Sequence, residues 1–164
     1  MVARVSEDER LHHPLLHPLL ASRRSPTLFD PQDMVSDAEV ASLIDAARWA
    51  PSAGNSQPWS FVVGRRGDDT HVRLVAHLTA GSRRWALSAG LLVANLSHRL
   101  VEDTDWEYSE FATYDLGQAV AHRTFQAQWL GLEVRQFRAF DRDGLATEFS
   151  VPALGGQGPG KVGL

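Results

Sequence analysis

Ala50-Pro51-Ser52-Ala53-Gly54-Asn55-Ser56-Gln57-Pro58-Trp59 links the end of a helix to the start of a strand. Pro51 and Pro58 stiffen its two ends, because the pyrrolidine ring locks φ. Gly54 lets the backbone approach a ligand closely. Ser52, Asn55, Ser56 and Gln57 add polar side chains between the prolines. Asn and Gln amides both donate and accept, which suits the edge of a planar heterocycle with alternating C=O and N–H groups. On chemistry alone the stretch reads first as an ordinary polar turn, so its surroundings must decide.

On its N-terminal side the pattern predicts a helix from Ser36 to Ala50. Ser36 and Glu39 form a capping box. Val40, Leu43, Ile44 and Ala47 follow as one apolar face, and Pro51 disfavours helical geometry at Ala50. On its C-terminal side Trp59 to Val63 reads as a strand. Gly67-Asp68-Asp69 is a turn, and Val72 to Leu78 reads as a second extended piece. Leu91 to Leu96 is a buried strand or a short helix, which periodicity does not separate. The acidic, aromatic stretch Val101 to Thr113 reads as a loop. Its Trp106, Tyr108 and Phe111 either cover a pocket or pack. Asp115 to Leu130 is a long helix with Gly131 just past its end. Glu133 to Phe137 fits a strand, and Asp141 to Phe149 a short helix with an Asp cap.

Nearer the N-terminus, residues 1–13 are polar, and a short helix is expected over Pro14 to Arg23. Ser22-Arg23-Arg24-Ser25-Pro26-Thr27-Leu28-Phe29 then offers two adjacent guanidinium groups and hydroxyls. That set can hold a phosphate by charge-assisted bonds. Taken alone it reads first as a solvated helix end with cations near the negative pole. From Gly155 onward the tail is rich in Gly and Pro, a composition that does not make a central strand. The expected organisation is a flexible segment 1–13, one domain over 14–154 and a tail over 155–164.

Composition bounds the function. The chain has 164 residues, 43% of them hydrophobic, and a formal net charge of -4. Nucleic-acid binding through a broad basic face is therefore not the default. Almost all the cations are Arg, and the only Lys is Lys161. There is no Cys, which excludes disulfides, thiolate catalysis and Cys-based metal sites. No apolar run is long enough to span a bilayer, and the acidic N-terminus does not read as a signal peptide, so a cytoplasmic location is expected. His12, His13 and His17 lack carboxylates at ligand spacing, so no metal site is expected. No Gly-x-Ser-x-Gly elbow is present. Gly156 to Gly160 lacks the strand and helix that a dinucleotide fingerprint requires.

The two polar stretches, in this order and about 27 residues apart, resemble the nitroreductase family of flavoproteins. That family opens with an Arg-x-Ser loop followed by Phe. A helix and an Ala-Pro-Ser-x-x-Asn-x-Gln-Pro-Trp segment come next. Arg83-Arg84-Trp85-Ala86, Tyr114-Asp115-Leu116-Gly117-Gln118-Ala119, Leu130-Gly131-Leu132 and Phe140-Asp141 look like further family segments. The resemblance covers about residues 14–152. It implies an α+β fold with a central, mostly antiparallel sheet flanked by helices, working as a homodimer. It implies FMN as cofactor and hydride transfer from NAD(P)H to a nitroaromatic, quinone or similar acceptor in a ping-pong cycle. No side chain is expected to act as a general acid or nucleophile.

Residue by residue, the resemblance places Arg23, Arg24 and Ser25 at the FMN phosphate and the pyrimidine side of the ring. It places Ser52, Ala53 and Asn55 on the flavin from the second subunit, with Gln57 in the same segment. Arg138 and Ala139 fall where family backbone amides approach the hydride-accepting nitrogen. Ser82 falls near a family Asn that touches the flavin. Arg24 and Asn55 are candidates to stabilise charge on the reduced ring. Thr27, Gly90 and the Gly/Pro-rich tail depart from the family pattern. The tail lacks the usual final strand and C-terminal cation, so the chain looks shortened there. Lys161 is a candidate replacement for the cation. Two alternatives on the same scaffold stay open: a non-enzymatic flavin binder, and a flavin-fragmenting or deazaflavin-using relative.

Overall fold

The computed structural model describes residues 15–100, 107, 109–151 and 162–163. Short helix α1 (Pro18–Ser22) leads to α2 (Asp37–Arg48), whose Ser36 cap and Glu39 side chain form the expected reciprocal capping box. The Ser36 bonds hold the Glu39 carboxyl below its ordinary range. Strand β1 (Trp59–Arg65) follows, then α3 (Asp69–Ala76), α4 (Ala80–Ala86), β2 (Leu91–Ser97), the long α5 (Ala112–Trp129), α6 (Arg142–Glu148) and a two-residue β3 (Val162–Gly163). The three strands form an antiparallel sheet in the order β1-β2-β3. Trp59 pairs with Ser97, and Arg65 with Leu91. Leu96 pairs with Val162.

Helix α2 packs along α5, α1 packs on the same long helix, and α3 lies against β1. The largest apolar cluster gathers Phe29, Leu74, Leu78, Leu92, Phe140 and Leu145, flanked by Trp85 and Phe137. Val35, Leu43, Ala127 and Leu132 form a second cluster between α2 and α5. Small residues close the third contact, where Ala47 and Ala50 meet Ala119. Gly64 lets α3 approach β1: a Cβ there would lie 2.7 Å from the backbone N of His71.

Several sequence expectations are corrected. The stretch from Val72 to Leu78 is not extended: Val72 to Ala76 belong to α3. Asp68 caps that helix by accepting from the His71 N–H, and His71 and Leu74 bury one face at helical spacing. A cap plus an i, i+3 pair outweighs the strand propensity of Val72 and Val75. Glu133 to Phe137 is not a strand, because no described strand edge lies beside it to take its backbone bonds. Side chains hold it instead, as set out below. Helix α1 begins at Pro18; Pro14 lies outside the described residues, as do residues 101–106 and 108 of the expected loop. Leu91 to Leu96 resolves as a strand. Helix α5 begins at Ala112, three residues before the sequence suggests. Its exit matches expectation, with Gly131 at φ 78. The tail contributes Val162 and Gly163 to the sheet, at an edge, where glycine costs less than in a central strand.

Candidate functional site

Residues 52–57 form a tight loop closed by a 3-10 turn over Ala53–Asn55. The Ser52 hydroxyl accepts from the Gln57 N–H at 3.0 Å, and Gln57 Nε2 donates to Asn55 Oδ1 at 3.2 Å. Gly54, Asn55 and Gln57 all have positive φ, at 59°, 55° and 46°. For Asn and Gln this left-handed geometry is strained, and such strain persists only where the surroundings over-determine it. The surroundings here are Asp115. Its carboxylate, 3% exposed in the first turn of α5, accepts from the Ala53 N–H at 3.0 Å. The sequence shows Asp115 only as part of a helical segment. Its partner is 62 residues away, so no local signal exposes this role.

The loop 23–29 sits at the other end of α5. Gln128 Nε2 donates to the Ser22 hydroxyl at 2.8 Å, tying the end of α1 to the last turn of α5. Arg24 Nε lies 2.9 Å from Glu133 Oε1, pairing a 44% exposed guanidinium with a 7% exposed carboxylate. Arg135 donates to the Pro26 carbonyl at 3.2 Å and stacks over Trp85. Segment 133–137 is thus pinned beside loop 23–29. Arg23 is exposed, and its Nη1 makes one long 3.4 Å bond to the Ser25 hydroxyl. The two Arg therefore differ: Arg24 is committed to Glu133, and Arg23 keeps donors for a ligand.

Arg138 and Ala139 follow on this segment. The Phe140 N–H donates to the Arg138 carbonyl at 3.1 Å, closing a γ-turn with Ala139 at its apex. Neither the Arg138 N–H nor the Ala139 N–H has an acceptor among the described residues. Ser82, buried on α4, does not present a free hydroxyl. It donates to the Ala139 carbonyl at 2.8 Å.

The structure therefore places the sequence candidates in two groups. Ser52, Ala53, Asn55 and Gln57 cluster at the N-terminal end of α5. Arg23, Arg24 and Ser25 lie at its C-terminal end beside the segment that leads to Arg138 and Ala139. The anchors Asp115 and Gln128 are thirteen residues apart on one helix, which is about 20 Å at 1.5 Å per residue. Within one chain the two groups sit at opposite ends of α5.

Behind segment 133–137 lies a cavity of about 80 Å³ whose lining includes Asn95, Arg123, Glu133 and Arg135. Arg123 donates to Asn95 Oδ1 at 2.6 Å and lies over the Phe61 ring. Burial lowers its pKa to about 10, still charged at neutral pH. On the outer surface an open groove runs between α1, α2 and α5, lined by Leu19, Trp49, Phe125 and Trp129. Trp49 is 78% and Trp129 72% exposed. Among the described residues there is no group of side chains that could hold a metal ion, and no helix is long and apolar enough to cross a membrane.

Residues 20–84 match the model of the nitroreductase family. The major NAD(P)H-flavin oxidoreductase of Aliivibrio fischeri is 41% identical over 51 residues, 31% of this chain and 23% of that protein. The chain thus matches about a quarter of that relative's length. Among solved structures, an oxidoreductase containing FMN superposes with a TM-score of 0.80 at 27% identity, covering 90% of this chain and 75% of that one. A nitroreductase family protein from Clostridium difficile superposes at 0.66 with 23% identity, over 82% of this chain and 74% of the other. The second likeness speaks to fold alone.

Proposed function

We propose, from the premise that this chain has the nitroreductase fold, that it is an FMN-dependent NAD(P)H oxidoreductase whose flavin site is completed by a second copy of the chain. The observation that carries the reading is that loops 23–25 and 52–57 are tied to opposite ends of α5. A twofold axis across α5 would set loop 23–25 of one copy against loop 52–57 of the other. The exposed Trp49 and Trp129, with Leu20 at 46% exposure, make an apolar face suited to burial between copies.

The donor set fits the cofactor. Arg23 with Ser25 offers charge-assisted bonds to a phosphate. Asn55 and Gln57 offer amides to the polar edge of a flavin ring. The Arg138 and Ala139 N–H groups, without acceptors among the described residues, would be available as further donors to the ring. When bound, FMN would supply the redox chemistry, hydride transfer from NAD(P)H to a nitroaromatic, quinone or similar acceptor in a ping-pong cycle. The protein's own residues hold and orient. Asp115 freezes the 52–57 loop before the ligand arrives, so little ordering entropy is lost on binding. Arg24, held by Glu133, adds positive field beside the phosphate position without spending Arg23. No side chain need donate a proton as a general acid.

The test is direct. Purified protein is titrated with FMN, its mass in solution is measured, and NAD(P)H oxidation is followed with a quinone acceptor. A yellow dimer that turns over supports the reading. Protein that binds no FMN overturns it. Bound FMN without NAD(P)H oxidation replaces it with a non-enzymatic flavin binder or a relative of different chemistry.

A further inference from the structure

The Ala139 carbonyl oxygen receives three donors. The Thr79 N–H lies at 3.3 Å, the Thr79 hydroxyl at 3.0 Å and the Ser82 hydroxyl at 2.8 Å. A carbonyl has two lone pairs, and the single Thr79 hydroxyl proton is shared between this oxygen and Ser82 Oγ at 3.3 Å, so the Ser82 hydroxyl is the shortest donor to an acceptor that is fully used. Two hydroxyls from one short helix start converge on a single backbone oxygen 57 and 60 residues away. Ser82 is buried, its hydroxyl lies 2.8 Å from the Ala139 carbonyl, and Thr79 Oγ1 stands beside it at 3.3 Å. Capping alone does not explain the pair. Thr79 Oγ1 already caps α4 by accepting from the Ser82 N–H, and Ser82 is not needed for that.

The bonds continue in series. The Ala139 carbonyl belongs to the same peptide group as the Phe140 N–H. That N–H donates to the Arg138 carbonyl. The Arg138 carbonyl shares its peptide group with the Ala139 N–H, which has no acceptor among the described residues. Each bond in such a chain polarises the next, by about 10–30% per bond. Donors at one end make the N–H at the other end a stronger and better aimed donor. The γ-turn fixes the direction of that N–H, and the hydroxyls fix the γ-turn.

We propose that Thr79 and Ser82 are positioning residues that act through two peptide groups to orient and polarise the Ala139 N–H toward the bound flavin. This rests on the flavin reading above. It assigns Ser82 a role different from direct contact with the ring: a serine hydroxyl is shorter than the Asn side chain at that place in the family pattern, and here it is spent on Ala139.

The experiment compares wild type with Ser82→Ala, Ser82→Thr, Thr79→Val and Thr79→Ser. Each protein is titrated with FMN, and the Ala139 amide proton is followed by NMR in the FMN-free and FMN-bound protein. Hydride transfer from NADH is timed by single-turnover bleaching of the flavin absorbance. Ser82→Ala is expected to bind FMN within about threefold of wild type, because no direct contact is lost. Its Ala139 amide proton should move upfield in both states, and hydride transfer should slow about tenfold. Ser82→Thr should restore both. Thr79→Val should shift the amide in the same direction, and Thr79→Ser should leave it in place, which keeps the test alive if one variant folds poorly. FMN bound by every variant with the Ala139 amide and the transfer rate unchanged overturns this inference and leaves the flavin reading standing. Wild-type protein that does not bind FMN overturns both.

Discussion

Replacing Asp115 probes how the chain holds a strained loop ready for a ligand. The carboxylate is almost fully buried and accepts from the Ala53 N–H at 3.0 Å. A hydrogen bond to a charged group contributes about 1.5–3 kcal/mol. It works against the left-handed geometry of the loop, which costs about 1–2 kcal/mol at Gln57 and less at Asn55, a residue type that tolerates it. The two magnitudes are comparable, so the anchor decides whether the loop stays in its binding shape. In Asp115→Ala the whole anchor is lost. The competent population then falls about 10- to 100-fold, and the Kd for FMN rises by the same factor. In Asp115→Asn an acceptor oxygen remains without its charge. Neutral bonds are about half as strong, so the loss is about 1 kcal/mol, or about fivefold in Kd. The assay is quenching of flavin fluorescence on titration, with circular dichroism to show that the helices persist. Asp115→Ala that binds FMN within threefold of wild type refutes the reasoning. So does Asp115→Asn binding more weakly than Asp115→Ala.

Other outcomes follow from the same structure. Arg23→Ala should weaken FMN binding about 10-fold or more while leaving riboflavin affinity unchanged, because its charge-assisted bonds go to the phosphate; parallel titrations with the two flavins check this. Arg24→Ala should instead lower stability by about 1–2 kcal/mol, read from the urea midpoint. It leaves the buried Glu133 without its cation, and the figure is discounted because Arg24 is half-exposed. Gly64→Ala should cost about 1–3 kcal/mol or prevent folding, because a Cβ there meets the α3 backbone at 2.7 Å; thermal unfolding reads it. Burial depresses the His71 pKa below 6.5, the nearby Asp68 opposing and Arg66 adding to it. The unfolded chain therefore takes up that proton first, so the stability His71 contributes is present above about pH 6.5 and declines as pH falls below it. Urea midpoints between pH 7.5 and 5 should drop in the wild type by more than in His71→Asn.

The sequence displays its local punctuation clearly. The Ser36–Glu39 box, the Asp141 cap and Gly131 each act within a few residues, and each lies where the chain says. The failures arise where a distant partner decides. Val72 to Leu78 has strand-like composition, yet Asp68 starts a helix there and Gly64 clears the space for it. Glu133 to Phe137 has strand-like alternation but finds Arg24 and Pro26 in place of a neighbouring strand. The candidate site follows the same rule. The residue types of loops 23–25 and 52–57 are visible in the chain. Asp115 as the loop's anchor and Ser82 as the holder of Ala139 are not, because those contacts span 62 and 57 residues. That the two loops occupy opposite ends of one helix also emerges only in three dimensions.

The central claim is that one flavin site draws on two copies of the chain, and subunit complementation tests it most directly. Arg23→Ala and Asn55→Ala proteins, each damaged in a different half-site, are mixed and allowed to exchange. Random pairing makes half the dimers mixed, and each mixed dimer carries one intact and one doubly damaged site. FMN binding at wild-type affinity should reappear in about a quarter of all sites. FMN bound tightly by a monomeric wild type, with no recovery in the mixture, would contradict the account.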